Sequence, residues 1–331
     1  MRRLVLLLIC AVMVSGLLAG CTPKSTEPPN GEDPTPPPVK NMILATGGVA
    51  GTYYPLGGAI AQAWSTKVSG LNVTAQATGA SVENLKLLDK KEVDLAFTQN
   101  DIVEYAVKGI ESFKDNPLSS ALGVASIYPE VIQIIVGEKS PVQSIQDVKG
   151  LRVSVGAPGS GNEANARQIL TTFGITYDDV EEQFLSYAES VEQFKDGHLD
   201  VIMLTTGAPN SGVQDLAVTN KIRVVPLSAE ETTAIQEKFP FLASYTLPAN
   251  TYQGQTNEVP TVCVLACLVA HKDLAEDLVY NMTKTLWENR DSIGEANAKA
   301  KMMDEKDPLK GITVKAHPGA LKYYKEKGWV K

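Results

Sequence analysis

The feature that most constrains this 331-residue chain is an internal repeat, in which the same order of elements occurs twice about 110 residues apart. In each copy a short apolar strand runs into a glycine-rich loop, and a helix follows. The matching segments include SVENLK at 81–86 and SVEQFK at 190–195, with Gly51-Thr52 and Gly161-Asn162 before them. Alternating strands and helices predict parallel sheets flanked by helices. The repeat therefore predicts an α/β protein with two similar lobes.

The connections between the two copies predict where the chain divides. It crosses between lobes near 131–137 and again near 259–270, so the first lobe takes 41–134 and 262–331 and the second lobe takes 135–261. The C-terminal tail is mostly helical in pattern, and we expect it to pack back on the first lobe. Ligands of such sheets lie beyond the carboxyl ends of the strands. Because each glycine loop follows a strand, lobes that face each other by these edges would share a cleft.

The loops of the first lobe offer several groups to a ligand. Gly51 allows close approach of the backbone, and Thr52 either caps the following helix or donates to a ligand. Tyr53 and Tyr54 supply flat walls with hydroxyl groups, although we expect one of the two to belong to the core. Gln99 follows a strand at the same edge and can both donate and accept; the alternative is an ordinary polar turn residue.

The second lobe presents an equivalent edge. Ser160, Gly161 and Asn162 open a helix, where exposed N–H groups and the helix dipole favour an anion; an ordinary helix cap is the alternative. Arg167 lies a turn or more into that helix and is expected at the surface. The loop after the last strand of the repeat falls at the same edge and contains Thr206, Gly207, Ala208 and Pro209.

Composition and motifs argue against an enzyme and against a nucleic-acid-binding protein. The chain has a formal charge of −8 and no basic cluster, whereas binding to phosphates depends on Lys and Arg. The segment GSGNEA at 159–164 fits a dinucleotide-binding pattern, but Tyr187 stands where an acidic residue is expected at the end of the next strand. The three histidines are scattered. We therefore expect neither catalytic residues, nor a metal site, nor a cofactor.

The two cysteines of the globular part lie in the apolar run VPTVCVLACLVA. In a strand, the Cα atoms of Cys263 and Cys267 are about 13 Å apart, which is too far for a disulfide. We expect both to be buried free thiols.

The N-terminus is typical of a targeting segment. Arg2 and Arg3 precede an apolar stretch that is short for a membrane-spanning helix, and Leu18-Ala19-Gly20-Cys21 resembles a bacterial lipobox. Cleavage would remove residues 1–20 as a signal peptide and leave Cys21 as the lipid-modified N-terminus. A plain secretory signal or an uncleaved anchor are the alternatives. The proline-rich segment up to residue 40 is expected to be a tether, which places the protein on the outer face of the cytoplasmic membrane.

Taken together, five segments resemble the TAXI family, the solute-binding subunits of TRAP (tripartite ATP-independent periplasmic) transporters. They are ATGGVAGTYYPLGGAIAQAW, GASVENLKLL, VDLAFTQND, GLRVSVGAPGSGNEANARQIL and HPGALKYYKEKGW. The resemblance implies a type II periplasmic-binding-protein-like α/β fold, with a ligand cleft between two lobes. It implies capture of a small organic acid, such as glutamate or a related amino acid or dicarboxylate. Delivery would be to integral membrane subunits driven by an ion gradient.

The resemblance also implies a set of ligand-binding positions that extends the groups found above. Asn162 stands where threonine or serine is expected, and Ala80 where glycine is commoner, so the ligand need not be glutamate. A sensory receptor for a membrane signalling kinase is the alternative function. The implied positions are Gly51, Thr52, Tyr53, Tyr54, Gly79, Ala80, Ser81, Gln99, Ser160, Gly161, Asn162, Thr206, Gly207, Ala208 and Pro209.

Overall fold

The computed structural model describes residues 39–331. The predicted signal peptide, the lipidation of Cys21 and nearly all of the proline-rich tether lie outside the described residues. Within 39–331, no helix is both long enough and apolar enough to cross a membrane.

Ten strands occur in the described part of the chain. They are β1 (Lys40–Ala45), β2 (Leu71–Gln76), β3 (Leu95–Gln99), β4 (Ala121–Gly137), β5 (Arg152–Ser154), β6 (Glu181–Gln183), β7 (Val201–Thr206), β8 (Ile222–Val225), β9 (Ala243–Leu247) and β10 (Val259–His271).

The same residues contain ten α-helices and four short 3-10 helices. The α-helices are α1 (Tyr53–Lys67), α2 (Ser81–Asp89), α3 (Asn100–Lys108), α4 (Gly161–Thr172), α5 (Tyr187–Lys195), α6 (Ser211–Asn220), α7 (Ala229–Lys238), α8 (Glu276–Glu288), α9 (Arg290–Ala296) and α10 (Pro318–Glu326). The 3-10 helices are Glu111–Phe113, Ile145–Val148, Tyr177–Asp179 and Ala298–Met302.

All ten strands belong to one sheet, and its order repeats the plan seen in the sequence. The path runs β2-β1-β3-β10-β4-β7-β5-β6, with β8 added to β4 and β9 added to β10. The first lobe thus has the order 2-1-3 and the second has the matching order 6-5-7. The pairings within these two triplets are parallel, as predicted. Strands β4 and β10 depart from the predicted parallel arrangement, because they pair antiparallel with all their neighbours.

The two long strands carry the chain between the lobes. Residues 266–270 of β10 pair with β3 of the first lobe, whereas residues 259–263 pair with β9 of the second lobe. Residues 131–136 of β4 pair with β7. The predicted crossings fall within these strands, and a register shift between Ala266 and Cys267 interrupts their pairing in the same region. The lobe boundaries themselves stay a prediction, and we use them below to name the lobes.

Helix α1 shows how apolar spacing fixes the core of the first lobe. Leu56, Ile60 and Trp64 recur every four residues and are fully buried on one face. The indole nitrogen of Trp64 donates to the Met282 carbonyl at 2.8 Å, which joins α1 to the C-terminal helix α8. The helical tail therefore packs on the first lobe, as predicted. Cys263 and Cys267 are buried and unbridged, also as predicted.

The contact between α8 and α10 leaves no room for a side chain at Gly319. A Cβ atom there would lie within 2.5 Å of the Tyr280 backbone nitrogen and closer still to the Glu276 carbonyl. We expect G319A to lower the free energy of unfolding by about 2 kcal/mol or more, because backbone atoms cannot yield as side chains do. Urea denaturation measures this change.

Gly58 provides the matched control. It is exposed in α1, and a Cβ atom there would meet nothing within 4 Å among the described residues. We expect G58A to raise the free energy of unfolding by about 0.5–1 kcal/mol, because alanine is the better helix former. Equal stability of G319A and the wild-type protein would contradict the close packing of α8 and α10.

Candidate functional site

A cavity lies where the loops after β1, β2, β5 and β6, with the first turns of the helices that follow them, meet the last residues of β3 and β7. Both lobes line it. The volume open to the centres of water molecules is about 90 Å³, whereas a single water needs about 10–15 Å³ on this measure. The cavity can therefore hold a small solute rather than a dinucleotide.

Most of the positions that the sequence indicates as ligand-binding are brought together at this cavity, although ligand binding by them stays a prediction. The eleven that line the cavity are Gly51, Thr52, Tyr53, Gly79, Ala80, Ser81, Gln99, Ser160, Gly161, Asn162 and Thr206.

The other four positions, Tyr54, Gly207, Ala208 and Pro209, do not line the cavity. Tyr54 follows buried Tyr53 on α1, so its side chain points elsewhere and is 36% exposed. The loop behind Thr206 faces the first lobe instead. There the Ala208 carbonyl accepts a hydrogen bond from the Lys299 ammonium.

Sequence reasoning missed eight residues that line the cavity. They are Gly47, Gly48, Thr78, Tyr128, Glu130, Ala157, Ser186 and Tyr187. Tyr187 was expected to end a strand, but β6 stops at Gln183 and Tyr187 is the first residue of α5. The missed signal is the capping box formed by Ser186 and Glu189, which fixes the helix start.

Gln99 connects the two lobes across the cavity. Its backbone N–H donates to Ser81 Oγ at 3.2 Å, and its side-chain Nε2 donates to Glu130 Oε2 at 3.1 Å. The amide lies directly against the backbone of Gly161, where any Cβ atom would collide with Gln99 Oε1. Any larger residue at 161 would therefore displace the Gln99 amide from its present position.

The side chain of Asn162 is fully occupied within its own lobe. Its Nδ2 donates to the carbonyls of Val155 and Met203, both at 2.9 Å, and its Oδ1 accepts from the Thr205 backbone N–H. These bonds join the ends of β5 and β7. Asn162 thus shapes the cavity wall, and its amide has no further hydrogen to donate to a solute.

Asn84 on α2 does the same for the first lobe. Its Nδ2 donates to the Thr46 carbonyl at 2.6 Å and to the Phe97 carbonyl at 2.8 Å, and its Oδ1 accepts from Thr78 Oγ1 at 2.5 Å. These bonds join the ends of β1 and β3, the strands that correspond to β5 and β7. Each lobe therefore holds its cavity edge with one buried amide.

Glu130 is the one acidic side chain among the described residues that line the cavity. It is only 4% exposed, and burial raises its pKa to about 8, with the charge of Asp101 adding to the rise. The Gln99 amide and the nearby Tyr53 hydroxyl partly oppose this shift. Glu130 is therefore mostly protonated at pH 7 when the cavity is empty. Within residues 39–331, its Oε1 atom has no hydrogen-bond partner, and the same holds for Tyr53 Oη and Gln99 Oε1.

The lobes also touch each other around the cavity. Thr52 Oγ1 and Thr206 Oγ1 lie 3.2 Å apart, and the backbone N–H of Val82 donates to the Gly159 carbonyl at 3.2 Å. Each pair joins one residue of the first lobe to one of the second. The arrangement is thus a closed form of the cleft.

One contact at this closed interface is sensitive to protons. Asp101 on α3 is fully buried and accepts from Asn165 Nδ2 of α4 at 2.9 Å. The Oδ1 atoms of both side chains lack a partner in the described part of the chain. Burial raises the pKa of Asp101 to about 7. A protonated carboxyl suits this buried position better than a carboxylate, because it avoids the cost of an unpaired buried charge.

Arg167 makes a second contact between the lobes. Its guanidinium lies 2.8 Å from Glu111 of the first lobe and 3.1 Å from Glu163 on its own helix. Arg167 was expected to be a surface residue, but it also forms an ion pair with the opposite lobe. The two lobes meet there through partly exposed charges.

We expect N162D to lower the free energy of unfolding by about 3 kcal/mol or more. The carboxylate would lose two donated hydrogen bonds and would face two buried carbonyls. N72D is the control, because Asn72 is exposed and donates only to Asn41. Its effect should stay within about 0.5 kcal/mol. Equal losses in urea denaturation of the two variants would contradict the role assigned to Asn162.

We expect D101N to reduce the dependence of stability on pH. The pKa of Asp101 is raised from 3.8 to about 7 on folding, so its stabilising contribution is complete below pH 4 and disappears as the pH rises to 7. This loss amounts to about 1.4 kcal/mol per pH unit, and Glu130 adds a loss of the same sign. In D101N the loss of stability that comes from Asp101 should be absent when the free energy of unfolding is measured by urea denaturation between pH 5 and 7. D89N, at an exposed aspartate, should keep the wild-type slope; an unchanged slope in D101N would contradict the assignment.

Comparisons with solved structures agree with the two-lobed fold. The chain is similar to a protein described as a periplasmic transporter, at 13% identity over 87% of this chain and 93% of that one, with a TM-score of 0.53. It is similar to a Streptococcus mutans structure concerned with glutathione import, at 14% identity, 80% and 94% coverage and a TM-score of 0.50. A Bordetella bronchiseptica structure matches at 18% identity, 86% and 88% coverage and a TM-score of 0.50.

These likenesses confirm the predicted α/β fold of periplasmic binding proteins, with two lobes and a cleft between them. In the part of the chain that the structure describes, no cluster of His, Cys, Asp or Glu could hold a metal ion. The model of the NMT1-like family matches residues 44–328, and the chain belongs to that family.

Proposed function

We propose that this protein is the solute-binding subunit of a TAXI-type TRAP transporter, and that it captures a small organic acid between its lobes. The observation that carries the proposal is that three residues lining one cavity each have a buried polar atom without a hydrogen-bond partner in the described part of the chain. These atoms are Tyr53 Oη, Gln99 Oε1 and Glu130 Oε1, and none has a partner within residues 39–331. Buried polar atoms are normally satisfied, so their grouping favours a polar solute as the missing partner.

The first turns of two helices supply donors for an acid group. The N–H groups of Tyr53 and Tyr54 in α1 and of Gly161 and Asn162 in α4 have no partner within their own helices, whereas the Glu163 N–H already donates to the Ser160 hydroxyl at 3.0 Å. The two helices begin at equivalent points of the two lobes. The dipoles of both helices favour negative charge at the cavity. At α2, by contrast, the N–H groups of Val82 and Glu83 already donate to the Gly159 carbonyl.

Capture follows from the two-lobed form. A solute held by one lobe gains the contacts of the other when the cleft closes, so it stabilises the closed form by its higher affinity for that form. The contacts between Thr52 and Thr206 and between Gln99 and Gly161 belong to this closed arrangement. Docking of the closed form to membrane subunits would then deliver the solute. We place this step at the outer face of the cytoplasmic membrane, with Cys21 as a lipid anchor.

The binding test is a thermal shift of the purified protein, after unfolding and refolding to remove any solute carried through purification. The panel contains amino acids, dicarboxylates, 2-oxoacids and NAD. A ligand at about 100 times its dissociation constant should add about 2.7 kcal/mol of stability, and a rise of several degrees is expected with at least one small acid. A rise with NAD alone, or with no compound, would contradict solute capture.

Uptake experiments separate the transport classes. In cells that depend on this protein for an acid, uptake should stop when the transmembrane ion gradients are dissipated and should continue when ATP is depleted but the gradients are held. The opposite result would favour an ATP-driven importer. Binding without any effect on uptake would favour the sensory receptor.

A further inference from the structure

The floor of the cavity combines one carboxyl group with three phenol rings. Tyr128 and Glu130 come from β4, Tyr53 from α1 and Tyr187 from α5, and all four line the cavity. Glu130 Oε2 is held by the Gln99 amide at 3.1 Å, which leaves Oε1 as the unpartnered atom in the described part of the chain. Tyr53, Tyr128 and Glu130 are each at least nine-tenths buried. The group is therefore built into the fold rather than placed at a flexible surface.

The cavity supplies no positive charge to this carboxyl group. Among the described residues that line it, none is Lys, Arg or His. Lys299 lies behind Gly207, and its ammonium donates to the Ala208 carbonyl instead. Aromatic faces carry partial negative charge and attract cations, more strongly when water is excluded. A carboxyl group among three such rings has the chemistry of a site for an ammonium ion.

We propose that Glu130 binds an ammonium group of the solute, so that the solute is an amino acid or a similar zwitterion rather than a plain carboxylate. This inference rests on the proposed capture of a small organic acid. The two charged ends of the solute would bind at different sides of the cavity. The acid group would lie at the first turns of α1 and α4, and the ammonium group would lie over β4.

Binding of this kind releases a proton. In the empty cavity Glu130 holds a proton at pH 7, because burial raises its pKa to about 8. An arriving ammonium group favours the carboxylate, so the Glu130 proton leaves to solvent while an N–H···O bond forms to the carboxylate oxygen. The solute enters as a zwitterion and keeps all of its protons. Each binding event at pH 7 therefore releases most of a proton.

Among the described residues near Glu130, one other group titrates in the same range. Burial raises the pKa of the three facing phenols, Tyr53, Tyr128 and Tyr187, so they stay neutral near pH 7. Burial likewise raises the pKa of Cys263 and Cys267 on β10. Asp101 on α3 has a pKa of about 7 and adds its charge to the field at Glu130. Experiments in a D101N background remove that contribution.

The test is isothermal titration calorimetry on the full-length protein, both wild type and D101N, with the twenty L-amino acids. For each amino acid that binds, the probe pair is completed by the same carbon skeleton without the amine, such as glutarate for L-glutamate. Two buffers that differ in ionisation enthalpy give the number of protons released. We expect release of most of a proton at pH 7. Affinity should rise by nearly tenfold between pH 6 and pH 7 and by about fivefold between pH 7 and pH 8. The deaminated partner should bind at least about 30-fold more weakly, without proton release.

E130Q tests the residue itself. Glutamine has nearly the shape of the protonated glutamate, so the empty protein should keep its melting temperature. Affinity for the amino acid should fall at least about 100-fold, and proton release should disappear. E138Q changes an exposed glutamate at the end of the same strand and should leave both quantities unchanged. If E130Q fails to fold, proton release by the wild type and the paired solutes still decide the matter.

Two results would overturn the inference. Equal affinity for an amino acid and its deaminated partner would show that the ammonium group is not recognised. Binding of dicarboxylates but of no amino acid would show that Glu130 stays protonated and donates to an acid group. Either result leaves solute capture intact. Failure of every acid in the wider panel would overturn both this inference and the proposed function.

Discussion

The structure depends on the pairing of two long strands, β4 and β10, at the centre of one continuous sheet. Their 17 and 13 residues run through both lobes, and each lobe adds its own triplet of parallel strands to one side of the pair. The lobes are therefore not independent sheets joined by loose linkers. Any opening of the cleft has to bend or twist these two strands, and the register shift at Ala266 and Cys267 interrupts their ladder where the chain crosses.

The pairing also explains why the cavity forms between the two triplets. Because β4 and β10 lie side by side, the carboxyl ends of β3 and β7 approach each other across them. Buried amides then hold each edge: Asn84 joins β1 to β3, and Asn162 joins β5 to β7. The two asparagines come from helices that do not correspond in the repeat, α2 and α4. Each lobe thus satisfies the equivalent pair of backbone carbonyls, but with an asparagine from a different position in the repeat.

Much of the cavity could be predicted because its signals are local. A glycine after a strand and a capping residue before a helix are visible in a few letters, and these signals identified the walls at Gly51 and Ser160, whereas Ser81 came from the family resemblance. The floor has no such signal. Tyr128 lies within the long apolar run of β4, so only tertiary packing shows that it faces the cavity. Glu130 does leave a trace, since a glutamate inside a strand that is otherwise apolar is expensive to bury without a reason.

Ala80 sets a limit on what the site can accept. It has φ of 76° and ψ of −146° at the start of α2, a backbone conformation that glycine adopts far more readily than alanine. Strain of this kind costs about 1–3 kcal/mol and persists only where surrounding structure enforces it. The methyl group lines the cavity beside Gly47, so it occupies space that a glycine would leave to the solute. If the proposed solute capture holds, stability is here exchanged for selectivity by size, since one methyl group in a closed pocket discriminates between solutes that differ by a single carbon.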